Sequence, residues 1–409
     1  MSKYYIFFVG ETLPTPAAHL VQITNCANAA ANLGYPALLV YLQKDWQVLN
    51  PFPHLFSFRA KRIDETLKQF YNLQDKLQVL PLPIPPFSNR VGGKFANSNT
   101  IACKYYFPFQ LRHQAGLVHS RDWNFIKAAV SHGIPAIYEK HHLEQKQYEP
   151  EIVNSPLFKI SVTIADPIIE NLLENGMPSD KVVKFHNGYN QSFFERKPEA
   201  AIAWRKGLLG EKYRYLAAYA GALTTFKGID LLLEIAPDHP EVLFALAGGP
   251  EQGMQAYRDK VKENQIDNVI LLGFLPQIEL AGLLQAADIL LYPHLSGEAA
   301  RWTSPLKLFD YIAVGKPIVS TRIVSLQEFF SSSLITHWCE PDRPQDFSRA
   351  LEQALEQYPQ WAIESIHPPE LIAEYSWEHR IAKILERVSP SKDLSEWFDV
   401  PNNGSELLV

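Results

Sequence analysis

Thr303-Ser304-Pro305-Leu306-Lys307-Leu308-Phe309-Asp310-Tyr311-Ile312-Ala313-Val314-Gly315-Lys316-Pro317-Ile318-Val319-Ser320 reads as a helix that hands over directly to a short apolar strand. Ser304 suits the N-cap and Pro305 the first helical position, while Gly315 suits the stop. The unpaired N–H groups of the first turn and the positive end of the helix dipole would face an anion. Lys307 and Asp310 are three residues apart and share one helix face. Hydroxyls at a helix start, then a lysine, then an acid one turn on suit a diphosphate beside a ribose diol. An ordinary amphipathic helix would carry the same pattern, so the flanking chain has to decide between them.

Outward from that segment, apolar strands alternate with helical segments in two successive runs, the pattern of parallel βαβ units. In the first run Tyr4 to Val9 and Ala37 to Leu42 are strands around a small-residue helix from Pro16 to Leu33, which ends at Gly34. Further strands are expected at Leu117 to His119, Ala136 to Tyr138, Ile160 to Ile164 and Val182 to Phe185. The second run has strands at Tyr215 to Ala220, Leu243 to Ala247, Val269 to Leu272, Ile289 to Tyr292 and Ile318 to Thr321. The fold class is therefore α/β, with two Rossmann-like domains. The expected boundaries are 1–195 and 196–375, then a last amphipathic helix over 376–390 and a frayed tail over 391–409. Leu80 to Thr100, with Pro81, Pro83, Pro85, Pro86 and Gly92-Gly93-Lys94, departs from the alternation and reads as a loop, either a lid or a solvated insertion.

The chain has 409 residues, 46% hydrophobic and 20% charged, enough for two or three domains with sizeable cores. A formal net charge of -6 gives no global attraction to a nucleic-acid backbone, so nucleic acid is not an expected partner. Cys26, Cys103 and Cys339 are odd in number and far apart, which fits buried thiols in a reducing compartment. Neither a signal-peptide pattern nor a stretch long enough to span a bilayer is apparent, and the expected location is the cytoplasm. The thirteen histidines show no HExxH and no paired spacing with cysteine, so neither a metal nor another cofactor is expected.

A second chemical segment, Ala220-Gly221-Ala222-Leu223-Thr224-Thr225-Phe226-Lys227-Gly228-Ile229-Asp230, is a strand end, a loop and a helix start. Ligands of open α/β sheets bind at the carboxyl ends of strands. Gly221 lets a ligand approach the backbone, and Lys227 stands where a phosphate would sit. Two lysines, Lys227 and Lys307, aimed at such strand ends would neutralise a diphosphate leaving group without a metal. A dinucleotide-dependent oxidoreductase fits less well, because neither first strand runs into G-x-G-x-x-G.

Gly221 through Gly228, Ala247-Gly248-Gly249-Pro250, Leu272-Gly273-Phe274, Ala287 to Pro293 and the Ser304 to Pro317 run occur in an order and spacing that resembles the donor domain of retaining GT-B glycosyltransferases of the family 4 type, also described as glycosyl transferases group 1. The first half resembles the same family at Gly10, His19, Arg121, Tyr138-Glu139-Lys140-His141 and His186-Asn187-Gly188-Tyr189-Asn190, so that the likeness covers roughly Tyr4 to Val388. The resemblance implies two Rossmann-like domains facing across a cleft, with the Trp377 helix packing back on the first. It implies a nucleoside-diphosphate sugar as donor and a hydroxyl acceptor, whether a glycan, a lipid-linked glycan or a small molecule, in polysaccharide or glycolipid synthesis. Peripheral contact with the inner membrane face is allowed by it, although no polybasic helix is evident.

By the same resemblance Lys227, assisted by Lys307, would hold the diphosphate, with Thr303, Ser304, Pro305 and Leu306 at the helix start. Asp310 would accept the ribose hydroxyls, the backbone near Gly249 and Phe274 would read the base, and Gly10 would lie under the diphosphate and sugar. His141 would stand near the transferred sugar, and His19, Arg121 and Glu139 would line the acceptor side. Two positions depart from the family's pattern: Ala222 stands where an arginine is common, and Trp302 where a first acid is common. A degenerate scaffold that binds a sugar nucleotide or a protein partner without turnover is the alternative that these departures keep open.

Overall fold

The computed structural model describes residues 3–44, 59–84, 98–249, 251–297, 300, 305–358, 361–389, 394 and 397–398. The chain divides into two compact units, Met1–His186 with Trp377–Val409, and Asn187–Ser376.

The first unit is built on an eight-stranded sheet of β1 (Tyr4–Val9), β2 (Ala37–Lys44), β3 (Lys61–Arg62), β4 (Gln78–Ile84), β5 (Ala115–Ser120), β6 (Ala136–Glu139), β7 (Phe158–Thr163) and β8 (Val182–Lys184). Their order is β3-β4-β2-β1-β5-β6-β7-β8, and every neighbouring pair is parallel except β3 with β4. Strands buried on both faces need no polar alternation, which is why β1 reads Tyr-Tyr-Ile-Phe-Phe-Val and β5 is buried throughout. The small-residue helix Ala18–Asn32 lets its backbone approach β1 and β2 closely. The final helix, Trp377–Val388, buries Trp377, Ile381, Ile384 and Leu385, and with them Arg380.

The second unit has a six-stranded, all-parallel sheet of β9 (Tyr215–Ala220), β10 (Val242–Ala247), β11 (Val269–Gly273), β12 (Ile289–Tyr292), β13 (Ile318–Thr321) and β14 (His337–Cys339), in the order β11-β10-β9-β12-β13-β14. In both sheets the first strand is central and the chain proceeds outward to one side before returning to the other. The resulting switch points lie between β1 and β5 and between β9 and β12, where ligand crevices form in open α/β sheets.

Four expectations are corrected. Leu80 to Ile84 is not loop but the greater part of β4, paired with β2 through Pro81 and Pro83. Prolines two apart place both missing N–H groups on one side of the strand, and the outer side of β4 meets only the two-residue β3. Thr100 lies in the helix Ser98–Ile101, and 85–97 falls outside the described residues. The helix after β12 starts at Leu306 rather than Pro305, with Pro305 as its cap and no side-chain cap bond. The division between units falls after His186, ahead of the expected join at 195, because Phe193 is buried in the second unit's core. The segment after Pro390, expected to fray, supplies buried Leu394 and Phe398, the latter 5.9 Å from the Tyr5 ring.

Candidate functional site

The carboxyl ends of β9, β10 and β11 form a glycine platform. Gly221 N–H donates to Ala247 at 3.0 Å, Gly248 N–H to the Gly273 carbonyl at 2.8 Å, and Leu223 N–H to Gly249 at 3.3 Å. A Cβ on Gly248 would lie 1.6 Å from the Gly221 carbonyl oxygen, so this approach of two strand ends admits no side chain there. Phe274 follows β11 at the rim of the platform and is 57% exposed.

Lys227 ends a single turn, Thr225–Lys227, and precedes the helix Ile229–Ile235 rather than opening it. Gly228 makes the connection at φ 74°, and a Cβ there would lie 1.8 Å from the Pro293 carbonyl oxygen. Leu295 N–H donates to the Phe226 carbonyl at 2.9 Å, which ties this turn to the end of β12 across the switch point. The Lys227 ammonium stands 4.9 Å from the Phe226 ring centroid and, among the described residues, has no carboxylate partner. Burial alone lowers its pKa to about 8. His294, which follows β12, is buried against Tyr292, and burial followed by the Lys227 charge holds it neutral, its pKa well below the usual histidine value.

Lys307 differs from Lys227. Its ammonium bonds Asp310 Oδ2 at 3.0 Å and lies 5.4 Å over the Phe193 ring. Asp310 is buried, and burial raises its pKa against the opposing pull of Lys307. The structure therefore joins Lys307, in the first turn of their helix, to Asp310 one turn on. Pro305 and Leu306 are half-buried beside them, and Thr303 and Ser304 lie outside the described residues, as does Trp302.

In the first unit, the carboxyl ends of β5 and β6 bring together Arg121, Glu139 and His141 with residues that spacing alone did not single out. Glu139 is fully buried, and Arg380 makes an ion pair with it. His119 Nε2 lies 2.7 Å from Glu139 Oε2, and His141 Nε2 lies 2.6 Å from Oε1. Burial pushes the Glu139 pKa up, but Arg380 and the two imidazoles outweigh it and hold the carboxyl well below the usual range. An ionised carboxylate only accepts, so both histidines donate through Nε2. Their Nδ1 atoms then accept, His119 from the Tyr5 hydroxyl at 2.9 Å and His141 from Arg121 Nη1 at 3.2 Å.

Both nitrogens of His141 are thus engaged within the protein, and burial followed by Arg121 lowers its pKa to about 3. It is a neutral, oriented ring with no free lone pair for a hydroxyl proton. Both oxygens of Glu139 are likewise occupied, which leaves no nucleophile there. His19 stands apart, half-exposed, with Nε2 2.6 Å from Glu11, and Gly10 lies at the end of β1. Arg380 was detectable as the charged residue on the apolar face of Trp377–Val388, and His294 as a polar residue directly after a strand end. Among the described residues no three His, Cys, Asp or Glu side chains converge as metal ligands, and no helix is long and apolar enough to cross a membrane.

The sequence model of the family Glycosyl transferases group 1 matches residues 214–357, a stretch that contains Gly221, Lys227, Lys307 and Asp310. A putative colanic acid biosynthesis glycosyltransferase of Escherichia coli is 26% identical over 262 residues, which are 62% of this chain and 60% of that protein. A putative teichuronic acid biosynthesis glycosyltransferase of Bacillus subtilis is 25% identical over 180 residues, 44% of this chain and 43% of that protein. The chain thus spans less than two thirds of the length of these relatives. Among solved structures, Anabaena HepE in complex with UDP and glucose superposes with a TM-score of 0.66 at 14% identity, covering 95% of this chain and 100% of that one. A glycosyltransferase of Rickettsia africae superposes with a TM-score of 0.67 at 16% identity, covering 96% and 99%. The two α/β units with their parallel sheets have the architecture of GT-B glycosyltransferases.

Proposed function

We propose that this chain is a retaining glycosyltransferase of the family 4 type, which moves a sugar from a nucleoside-diphosphate sugar to a hydroxyl acceptor in polysaccharide or glycolipid synthesis, without a metal ion. The observation that carries the reading is Lys227, a half-buried ammonium whose pKa burial lowers to about 8 and which has no carboxylate partner among the described residues, fixed at a topological switch point beside a platform that only glycines can form. A partly desolvated cation without a counter-ion gains stabilisation from an anionic ligand. The UDP seen with HepE makes uridine diphosphate sugars the first donors to try.

In the transfer, the bond between the anomeric carbon and the leaving diphosphate oxygen breaks while the acceptor oxygen bonds to the same face of that carbon. The acceptor proton passes to the departing phosphate oxygen. Lys227 stabilises the negative charge that develops on the diphosphate, and the Lys307–Asp310 pair supports the helix start on its other side. The engagement of both Glu139 oxygens and both His141 nitrogens favours this front-face route over one through a covalent carboxylate intermediate or an imidazole base.

The test is sugar transfer, or donor hydrolysis where no acceptor is supplied, in excess chelator with a panel of nucleoside-diphosphate sugars. Turnover in chelator that is lost in Lys227→Ala is the expected result. Nucleotide binding without hydrolysis or transfer under any condition would instead favour the degenerate scaffold. Activity that returns only on adding a divalent ion would overturn the metal-free part.

A further inference from the structure

The carboxylates around the ends of β5 and β6 are already committed. Glu139 pairs with Arg380, Lys140 Nζ lies 2.6 Å from Glu144, and His19 lies 2.6 Å from Glu11. Arg121 stands among them and, among the described residues, has no carboxylate of its own. Its hydrogen bonds all go to neutral acceptors: Gln22 Oε1 at 3.4 Å, His141 Nδ1 at 3.2 Å and His142 Nε2 at 3.3 Å. A guanidinium has five donors in a planar fork that matches an oxyanion, and three long bonds to neutral atoms leave that capacity largely unused. His142, unlike His141, is exposed, and among the described residues it makes no ion pair with a carboxylate.

We propose that Arg121 and His142 form a subsite for a phosphate group carried by the acceptor. This inference rests on the glycosyltransferase reading and names the acceptor's chemistry. Two cationisable groups side by side suit a phosphate, which carries more charge than a single guanidinium neutralises. Without a ligand, burial followed by the charges of Arg121, Lys140 and His19 lowers the His142 pKa, with Glu144 opposing. A phosphate seated on Arg121 reverses the local field, so that His142 takes up a proton as the ligand binds. Glycine-lined strand ends and Lys227 belong to the other unit's site, and the donor diphosphate is the competing source of the same chemistry.

The experiment uses the full chain saturated with UDP, so that the nucleotide site is occupied. Glycerol 3-phosphate and uncharged glycerol are titrated by calorimetry, and the His142 imidazole is followed by NMR. The expected result is that glycerol 3-phosphate binds and glycerol does not, that the His142 pKa rises on binding, and that Arg121→Gln weakens binding by about 10- to 100-fold, as for the loss of charge-assisted hydrogen bonds. His142→Gln, which leaves the Glu139 cluster untouched, keeps the fold and removes the part of the pH dependence that the imidazole adds to that of the phosphate, whose own second pKa is about 6. Absence of glycerol 3-phosphate binding, or binding unchanged in Arg121→Gln, overturns the subsite. Binding that appears only without UDP and is lost in Lys227→Ala assigns the phosphate to the nucleotide site and also overturns it. If UDP itself stabilises the chain throughout, the donor reading stands whichever way the subsite falls.

Discussion

Glu139 in the first unit is a fully buried ion and Lys227 in the second a half-buried one, both beyond or at the carboxyl ends of parallel strands, yet their surroundings are opposite. Glu139 is met on both oxygens by Arg380, His119 and His141, so its charge is balanced inside the protein. Lys227 has an aromatic face beside it and a neutral imidazole nearby, and no carboxylate among the described residues. Burial is the first cause acting on both groups. In Glu139 partners outweigh it and the pKa falls, whereas in Lys227 nothing opposes it and the pKa falls to about 8. A saturated ionic cluster fixes geometry, while an unsaturated one has free energy to gain from a ligand of opposite charge.

The sharpest way to break this contrast is Arg380→Met. Removing the counter-ion of a fully buried carboxylate should destabilise the chain by about 3–5 kcal/mol in chemical denaturation. A loss below about 1 kcal/mol, the range of an exposed ion pair, would mean that Glu139 is not held as a charge. Lys227→Ala should do the reverse. Turnover is expected to fall by about 10²–10³-fold, as for a lost transition-state charge contact. The midpoint of unfolding should stay or rise, since a partly desolvated cation with no carboxylate partner among the described residues is removed.

Proton linkage separates the two clusters again. His119 and His141 have folded pKa values below their unfolded value near about 6.5, so the folded state binds fewer protons there. Their contribution to stability is present above that value and is lost as the pH falls toward 3, and the lowered Glu139 adds a loss below about 4.3. Denaturation midpoints should therefore decline on acidification from about pH 6.5. Nucleotide affinity should respond at the other end, weakening by about tenfold per unit as the pH rises above the Lys227 value of about 8. Affinity that is flat from pH 7 to 10 would show that the ammonium does not face the diphosphate. The smallest effect is expected for Lys307→Ala, which removes a lysine already paired with Asp310. Nucleotide affinity should drop by less than about tenfold, and a loss as large as that of Lys227→Ala would equate the two lysines.

Much of the architecture was legible because its signals are local. Tyr215–Ala220, Ile289–Tyr292 and Ile318–Thr321 are apolar runs bounded by polar or turn residues, and they form strands with the expected ends. Gly315 stops its helix in the left-handed conformation at φ 69° that glycine favours. Gln78–Ile84 escaped because prolines argue against a strand unless its outer side is nearly unpaired, and that depends on which strand lies beside it. Leu394 and Phe398 escaped because a polar tail gives little sign that two apolar residues within it will be buried, Phe398 against Tyr5 and Tyr35.

The candidate site divides along the same line. Residue type and position along the chain determined that Gly221 and Lys227 would stand at a strand's carboxyl end and that Lys307 and Asp310 would share a helix face, since each follows from backbone periodicity over a few residues. Only the tertiary structure decided which charges are spent. It brought Arg380 from the last helix to Glu139, across more than half the chain, and closed both nitrogens of His141 between Glu139 and Arg121. It paired Lys307 with Asp310 and left Lys227 without a carboxylate among the described residues. Strand and helix periodicity is written into neighbouring residues, but the partner of a buried charge is set by which distant elements pack together, and in a desolvated interior that partner decides whether the group holds the fold or awaits a ligand.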